Sequence, residues 1–232
     1  MKVFQLIIWC TAISLVFSTC KNAPESDEAI TSEAKEVTEQ SSDVTFKVDP
    51  AASKVEFIGT KVSGYHSGYV QIKNGELQVK DGNITGGNFV MDMNSITISG
   101  PKNSDEEGNM KLAGHLKSPD FFDVEKNPEG VFEITSVKPF SGNVTEENEA
   151  NQEEFNKYKV ANPTHTISGN LTLKGITKNI EFPARISMTG DAIDALARFN
   201  IDRSLWDITY PGKPDDLIRN DINLGIELIA AK

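Results

Sequence analysis

Residues whose side chains could take part in chemistry are concentrated in one short stretch, residues 115–133, which reads HLKSPDFFDVEKNPEGVFE. His115 and Asp123 are groups that could act as acid and base on a substrate. The neighbouring pair Phe121 and Phe122 instead predicts the buried underside of a small cap. A lone histidine lacks the paired groups that a catalytic or metal site needs, so for His115 we favour a hydrogen-bonding role, followed by contact with a ligand.

The sequence offers little for metal or thiol chemistry. The histidines at positions 66, 115 and 165 match neither HxxxH nor HExxH spacing. The two cysteines are Cys10 and Cys20. The chain beyond them therefore has no thiol nucleophile, disulfide or cysteine ligand. We predict no catalytic residue, metal site or cofactor.

Overall charge argues against a nucleic-acid partner. The 232 residues include 23 Lys and Arg against 34 Asp and Glu, giving a formal net charge of -11. A polyanion would be repelled, and the sequence has no basic stripe to offset that repulsion. Uncharged, zwitterionic and cationic ligands remain open.

The N-terminal residues predict export. Lys2 precedes the uncharged apolar run Val3–Phe17, which is shorter than the ~20 residues of a membrane span. The run ends in FSTC, and this layout resembles a bacterial lipoprotein signal, which is cleaved before a cysteine that becomes acylated. We predict a signal peptide over residues 1–19, lipidation of Cys20, and membrane attachment on the periplasmic side of the outer membrane or at the cell surface. Plain secretion and an uncleaved anchor are the alternatives.

Residues 20–44 are predicted to form an acidic flexible tether, because this segment is rich in Glu, Ser, Thr and Ala and poor in aromatics. A helix over Ser32–Gln40 is the competing interpretation. Cleavage before Cys20 would remove one positive charge, that of Lys2, from the net charge of -11, so the exported chain would carry -12.

From residue 45 onward, apolar residues recur with period two, which indicates strands with one apolar face. In residues 179–188, for example, Ile180, Phe182 and Ala184 share one face and Asn179 and Glu181 the other. Similar alternation predicts strands at Lys54–Lys61, Tyr65–Ile72, Glu76–Lys80, Gly87–Ile98 and Val131–Lys138, and within residues 165–175, 192–201 and 222–231. Asn74-Gly75 and Asp81-Gly82 predict tight hairpin turns. Periodicity alone leaves a sandwich and a barrel both open.

Two segments interrupt the strands. Ser104–Glu107, SDEE, fits a capping box and predicts a helix over Asp105–Leu116. The acidic stretch of residues 141–163 predicts a solvated surface loop. A calcium site there is the alternative, although the loop lacks the acidic spacing and turn glycine of an EF-hand. Its candidate ligands would be Glu146, Glu147, Glu149, Glu153 and Glu154.

Three sequence blocks resemble the YceI-like family of bacterial lipid-binding proteins. They are GHLKSPDFFDVEKNPEGVFEITSV, ISGNLTLKGITKNIEFP, and FNIDRSLWDI followed by IRNDINLGIELIA. The resemblance covers residues 45–232, as one YceI-like β-barrel domain. It implies an all-β fold, an eight-stranded antiparallel lipocalin-like barrel with a short helical cap. It also implies an apolar cavity that binds a polyisoprenoid or quinone-like lipid.

We predict that apolar side chains line this cavity and that a further group lies near its mouth. The predicted lining residues are Phe57, Phe89, Met91, Met93, Leu171, Phe182, Met188, Phe199 and Leu224. The predicted mouth residues are Phe121, Phe122 and Trp206, and His115 is the candidate contact for the ligand headgroup. Arg203 and Asp221 are expected to form an internal ion pair.

Three functional hypotheses follow. The first is a carrier of isoprenoid-type lipid, tethered to the envelope through Cys20. The second is an enzyme that acts on such a lipid, with His115 and Asp123 as acid and base. The third is an interaction module whose barrel is filled by its own side chains. A homodimer is compatible with each of them.

Overall fold

The computed structural model describes residues 24–38, 41–142 and 158–232 of the chain. The predicted signal peptide, Cys20 and the candidate calcium ligands lie outside the described residues. The strands are β1 (Ile30–Glu33), β2 (Val44–Val48), β3 (Lys54–Lys61), β4 (Gly64–Lys80), β5 (Asn83–Gly100), β6 (Glu129–Pro139), β7 (His165–Leu173), β8 (Ile176–Thr189), β9 (Ala192–Asp202), β10 (Gly212–Lys213) and β11 (Asp216–Ala231). The helices are α1 (Glu106–Lys117) and the 3-10 turn Arg203–Trp206.

Eight antiparallel strands close into a barrel. The strands from β3 to β9 pair in chain order, and β11 pairs with both β9 and β3, which completes the ring. The prediction of an eight-stranded antiparallel barrel with a short helical cap is therefore confirmed. Because side chains alternate along each strand, one face of every strand points into the barrel.

The two ends of the barrel differ. One end, called here the capped end, carries α1 and the connection between β9 and β11, residues 203–215. The β3–β4 and β7–β8 turns lie at the same end. The opposite end carries the β4–β5 and β8–β9 turns. This arrangement of turns at the two ends determines which side chains can meet inside the barrel.

The structure confirms one of the two predicted hairpin turns and contradicts the other. Asp81 and Gly82 have φ angles of 50° and 75°, as a tight turn between β4 and β5 requires. Asn74-Gly75 forms no turn, because both residues lie within the single long strand β4. A Cβ on Gly75 would come within 2.6 Å of the Asn88 carbonyl oxygen. This glycine therefore serves the close approach of β5.

The helix α1 covers the capped end almost as predicted. Its N-cap is Asp105, whose carboxylate accepts a hydrogen bond from the Gly108 amide at 2.7 Å. The predicted capping residue, Ser104, instead accepts a hydrogen bond from the Asn109 side chain. The aspartate is one residue closer to the first free amides and, as an ionised acceptor, stabilises the positive end of the helix dipole.

The segment of residues 24–38, called here the N-terminal segment, packs against the barrel. Its strand β1 pairs with residues 178–181 of β8, and Glu28 bridges Asn200 of β9. The β8–β9 ladder covers only residues 184–189 and 192–197, so the two strands separate toward the capped end. The N-terminal segment fills that gap. The prediction of a flexible tether over residues 20–44 is wrong for this part, because free strand edges offer backbone partners that composition does not reveal.

Buried asparagines hold the N-terminal segment in place. Asn170 exchanges two hydrogen bonds with the Lys35 backbone, at 2.7 and 3.0 Å. Asn179 is fully buried and donates to Asn170 and to Thr135. Asn200 donates to the Pro24 carbonyl at 3.1 Å. The outer face of β8 is therefore covered here, and its polar groups are satisfied by the segment.

An ion pair joins the start of β11 to the end of β3. The ammonium of Lys61 lies 2.5 Å from the carboxylate of Asp216, which also accepts from the Ser63 amide at 2.9 Å. The hydrogen bond from Lys61, followed by that from the Ser63 amide, lowers the pKa of Asp216 to about 2. The pair closes the β3–β11 seam at the capped end.

We expect Asn170→Ala to destabilise the protein by about 2–3 kcal/mol, because it removes both bonds to Lys35 and leaves the buried amide of Asn179 short of an acceptor. Urea unfolding measures this loss. Asn94→Ala, at an exposed asparagine, is the matched control and should change stability by less than about 0.5 kcal/mol. Equal stability of the two variants would contradict the assigned role of the network. Hydrogen exchange should also show faster exchange at Ile30–Glu33 in Asn170→Ala.

We expect Asp216→Asn to lower stability at neutral pH and to lose this effect in acid. The folded-state pKa of Asp216, about 2, lies below the unfolded value of about 3.9. The stabilisation is therefore present above the unfolded pKa and is lost as pH falls from about 4 to about 2. Thermal unfolding across this range measures the difference from wild type. Asp215→Asn, at an exposed neighbour, should show no such convergence, and a pH-independent difference for Asp216→Asn would refute the assignment.

Candidate ligand cavity

A cavity of about 380 Å³ occupies the half of the barrel next to the capped end. All eight strands of the barrel contribute to its wall, together with α1 and the 203–215 connection. Most of the wall is apolar, because the inward positions of the strands carry Val, Ile, Leu, Met and Phe. The exposed residue Lys213 also belongs to the wall, so the cavity reaches the surface at the capped end.

Ten of the thirteen predicted ligand-contacting residues lie on this wall. They are Phe57, Phe89, Met91, Met93, His115, Phe121, Phe122, Leu171, Phe199 and Leu224. For the seven that lie on strands, the period-two pattern identified the inward face correctly. The adjacent Phe121 and Phe122 follow α1 and close the cavity from the capped end, which is the cap-underside role that the sequence predicted.

The other three predicted residues lie off the wall of this cavity. Phe182 lines a second cavity of about 60 Å³ farther from the cap. Met188 is near the end of β8, at the opposite end of the barrel. Trp206 is fully buried in the 3-10 turn, where its indole nitrogen donates to the Leu171 carbonyl at 3.0 Å. Alternation along a strand reveals the face of a residue but not its depth along the barrel axis.

Four phenylalanines, called here the aromatic layer, separate the two cavities. They are Phe89, Phe132, Phe182 and Phe199. Consecutive ring centroids lie 5.3, 5.7 and 4.0 Å apart. Phe89 and Phe132 line both cavities. The layer therefore forms the floor of the larger cavity, and a ligand longer than that cavity would have to displace it.

Polar groups gather on the wall at the capped end, and the sequence analysis missed most of them. Apart from the predicted His115, they are Thr60, Lys61, His66, Arg203, Tyr210, Lys213 and Asp216. They come from β3, β4, the 203–215 connection and β11, which are far apart in sequence. Only the closure of the barrel brings them together, and no local motif could have identified them.

Arg203 is buried and holds the 203–215 connection by backbone contacts. Its guanidinium donates to the carbonyls of Arg219, Ile208 and Tyr210. The predicted ion pair with Asp221 is wrong, because the hydrogen bonds of this guanidinium go to backbone carbonyls and not to that carboxylate. Burial lowers the pKa of Arg203, but an arginine remains charged at neutral pH. The Arg203 guanidinium is thus a positively charged group in the wall, and its hydrogen bonds go to backbone oxygens.

His66 brings a neutral imidazole to the same region. Burial, followed by the nearby Lys61 ammonium, lowers the pKa of His66 below its ordinary value. Its Nδ1 atom is buried and has no hydrogen-bond partner among the described residues. His66 and the neutralised Lys61–Asp216 pair add polar groups without net charge, so Arg203 and Lys213 supply the positive charge at this end of the wall.

The proposed acid and base of the enzyme hypothesis do not meet. His115 lies 3.0 Å from the Asp120 carboxylate, and its ring packs edge-on against Phe121 and Tyr210. Asp123 pairs instead with Lys126 at 2.7 Å. The backbone turn after α1 directs the two carboxylates to different partners. The structure thus gives no geometric support to a His115–Asp123 pair.

Residues 24–38, 41–142 and 158–232 contain no group of three or more His, Cys, Asp or Glu side chains placed to hold a metal ion. None of the helices in these ranges is long and apolar enough to cross a membrane.

Comparison with known proteins agrees with this architecture. The chain is 34% identical over 89 residues to a UPF0312 protein of Pseudomonas aeruginosa, a match that covers 38% of this chain and 36% of the relative. The chain therefore spans only about a third of the length of that relative.

Two solved structures share the fold. BcnA of Burkholderia cenocepacia superimposes with a TM-score of 0.53 at 17% identity, covering 79% of this chain and 99% of BcnA. A polyisoprenoid binding domain from Saccharophagus degradans gives a TM-score of 0.54 at 12% identity, covering 80% and 97%. The family model for the YceI-like domain matches residues 46–230. The chain belongs to the YceI-like family.

Proposed function

We propose that this protein binds the apolar chain of an isoprenoid-type lipid, a polyisoprenoid or a quinone-like molecule, in its barrel cavity. One observation carries the proposal: an apolar cavity of about 380 Å³ remains inside a closed barrel and reaches the surface at one end. Moving an apolar chain from water into such a space gains roughly 25 cal/mol for each Å² buried. A filled barrel, as the scaffold hypothesis requires, would leave no such space.

The shape and chemistry of the wall support a long flexible ligand. Met91 and Met93 on β5 have unbranched, adaptable side chains that suit an irregular guest. The polar groups around His66 and Lys61 lie at the capped end, where an amphiphile would place its headgroup. The similarity to a polyisoprenoid binding domain supports the same ligand class.

We further propose that the protein is exported and anchored through Cys20 to an envelope membrane. The FSTC boundary and the polar residues after it support this part of the proposal. Carriage of lipid between a membrane and the cavity requires binding alone, without a catalytic pair.

Organic extraction of the purified full chain, followed by mass spectrometry, tests the proposal directly. We expect a co-purifying lipid with an isoprenoid chain. A protein whose cavity is free of lipid, and which takes up no polyprenol or quinone when these are supplied in detergent, would refute it. Mass spectrometry of the intact purified chain separately tests acylation of Cys20.

We expect Gly59→Leu to lower the lipid-to-protein ratio about tenfold or more, because a leucine here projects into the cavity. A Cβ at this position would contact only Ile222, at an ordinary distance of 3.5 Å, so a side chain can be added here without a clash at Cβ. Overpacking costs about 1–3 kcal/mol, and urea unfolding checks that the variant folds. Gly190→Leu, in the β8–β9 turn with nothing within 4 Å of its Cβ, is the matched control. Unchanged lipid content in Gly59→Leu would place the ligand elsewhere.

We expect Phe132→Ala to shift the bound lipids toward longer chains, because this side chain separates the two cavities. Phe46→Ala removes a similarly buried ring that lines neither cavity and should leave chain length unchanged. Each variant loses about 3–5 kcal/mol, so Phe132→Leu and Phe46→Leu provide milder versions. The measurement is the distribution of lipid lengths by mass spectrometry. The same distribution in both Phe132 variants and wild type would show that the aromatic layer does not limit the ligand.

A further inference from the structure

Exposed apolar side chains are distributed unevenly over the described surface. Five large ones, called here the apolar rim, lie at the capped end and are between 41% and 63% exposed. They are Val62 in the β3–β4 turn, Tyr65 at the start of β4, Met110 on α1, Leu205 in the 3-10 turn and Leu217 at the start of β11. The other two among the described residues, Ile30 and Val37, lie on the N-terminal segment. The opposite end has none in the described ranges.

The apolar rim lies on the elements that border the cavity opening. The Val62 amide donates to the Leu217 carbonyl at 3.2 Å, so these two residues are neighbours. The helix that exposes Met110 also places Leu112 on the cavity wall. Leu205 follows the wall residue Arg203 by two positions. Apolar surface outside and apolar cavity inside therefore meet at one end of the barrel.

The position of the N-terminal segment independently limits where the predicted anchor can lie. Its first described residue, Pro24, is bound through its carbonyl to the side chain of Asn200. Asn200 is two residues from the end of β9, at the capped end. Four residue steps separate Pro24 from Cys20, and a fully extended chain covers at most about 14 Å in that number of steps. An acylated Cys20 is therefore held close to the half of the barrel that contains the cavity.

A bilayer fits this surface better than a protein partner does. The anchor brings the membrane to this end, and linking two binding groups on one molecule raises the effective concentration of the second. The exported chain carries a net charge of -12, which opposes the approach of a second copy. Exposed Val, Leu, Met and Tyr side chains gain free energy on entering the interfacial region of a membrane.

We propose that the apolar rim docks on the bilayer that carries the Cys20 anchor, with the cavity opening against the membrane surface. This inference rests on the proposed function, because it assumes an anchored carrier. Lipid then passes between bilayer and cavity without exposing its chain to water. The N-terminal segment acts as the positioning strap, since its contacts with β8 and β9 orient the barrel relative to the anchor.

Attached dyes report the orientation. The exported chain has no thiol apart from Cys20, which the anchor consumes, so Leu205→Cys offers a single labelling site at the rim. Gly190→Cys, in the β8–β9 turn, is the matched site at the opposite end. With the acylated full chain in phosphatidylcholine vesicles, we expect a polarity-sensitive dye at position 205 to shift to the blue and to be quenched by brominated lipids. The dye at position 190 should remain in water. Equal signals at both sites would overturn the proposal.

Lipid transfer tests the consequence. A triple variant of the rim, Val62→Ser, Leu205→Ser and Leu217→Ser, should slow transfer of a fluorescent polyprenol from vesicles about tenfold or more, by loss of apolar contact with the bilayer. Its loading from detergent should be unchanged, because the cavity is intact. The control removes the other exposed apolar residues, with Ile30→Ser and Val37→Ser. Unchanged transfer in the triple variant would refute docking through the rim.

The outcomes separate this inference from the proposed function. If wild type takes up no polyprenol even from detergent, the proposed function fails, and docking is then judged by the dye signals alone. If it loads normally but the dye at position 205 stays in water, docking fails and the carrier function stands. A blue shift at position 205 that needs high protein concentration and no vesicles would assign the rim to a second copy and overturn membrane docking.

Discussion

Closure of the β11 strand on both β3 and β9 is the constraint on which the rest of this structure depends. It converts a row of hairpins into a barrel and gives every inward side chain a shared interior. An eight-stranded ring leaves an interior that side chains can just fill. In this protein the inward side chains fill the half of the barrel farther from the cap more completely than the half nearer to it. The aromatic layer lies at the boundary between these two halves. The cavity is thus a consequence of which residues face inward at each level of the ring.

A segment that is not one of the eight strands fills the gap in the wall between β8 and β9. Where β8 and β9 separate, their unpaired edges and buried asparagines would be costly without partners. The N-terminal segment supplies backbone groups to both sides, so its order is a property of the barrel wall. The position at which the chain enters the domain is therefore fixed.

Polar and apolar chemistry are separated along the barrel axis. The deep wall is made of Met, Phe and branched aliphatic residues, whereas Lys61, His66 and Arg203 are near the cap. Asp216 neutralises Lys61, and backbone carbonyls surround the guanidinium of Arg203. A ligand with a small polar end and a long apolar chain matches this arrangement in one orientation only.

Period-two alternation, Asp81-Gly82 and the capping residues near 105 determined the strands, one hairpin and the helix, because these depend on neighbours in the chain. The three family-like blocks indicated a barrel, and together with the alternation they indicated ten residues of the cavity wall. The depth of Phe182, Met188 and Trp206, the partners of Arg203, and the order of the N-terminal segment were decided only by the tertiary structure. Each depends on contacts between residues far apart in sequence, which exist only once the ring of strands has closed.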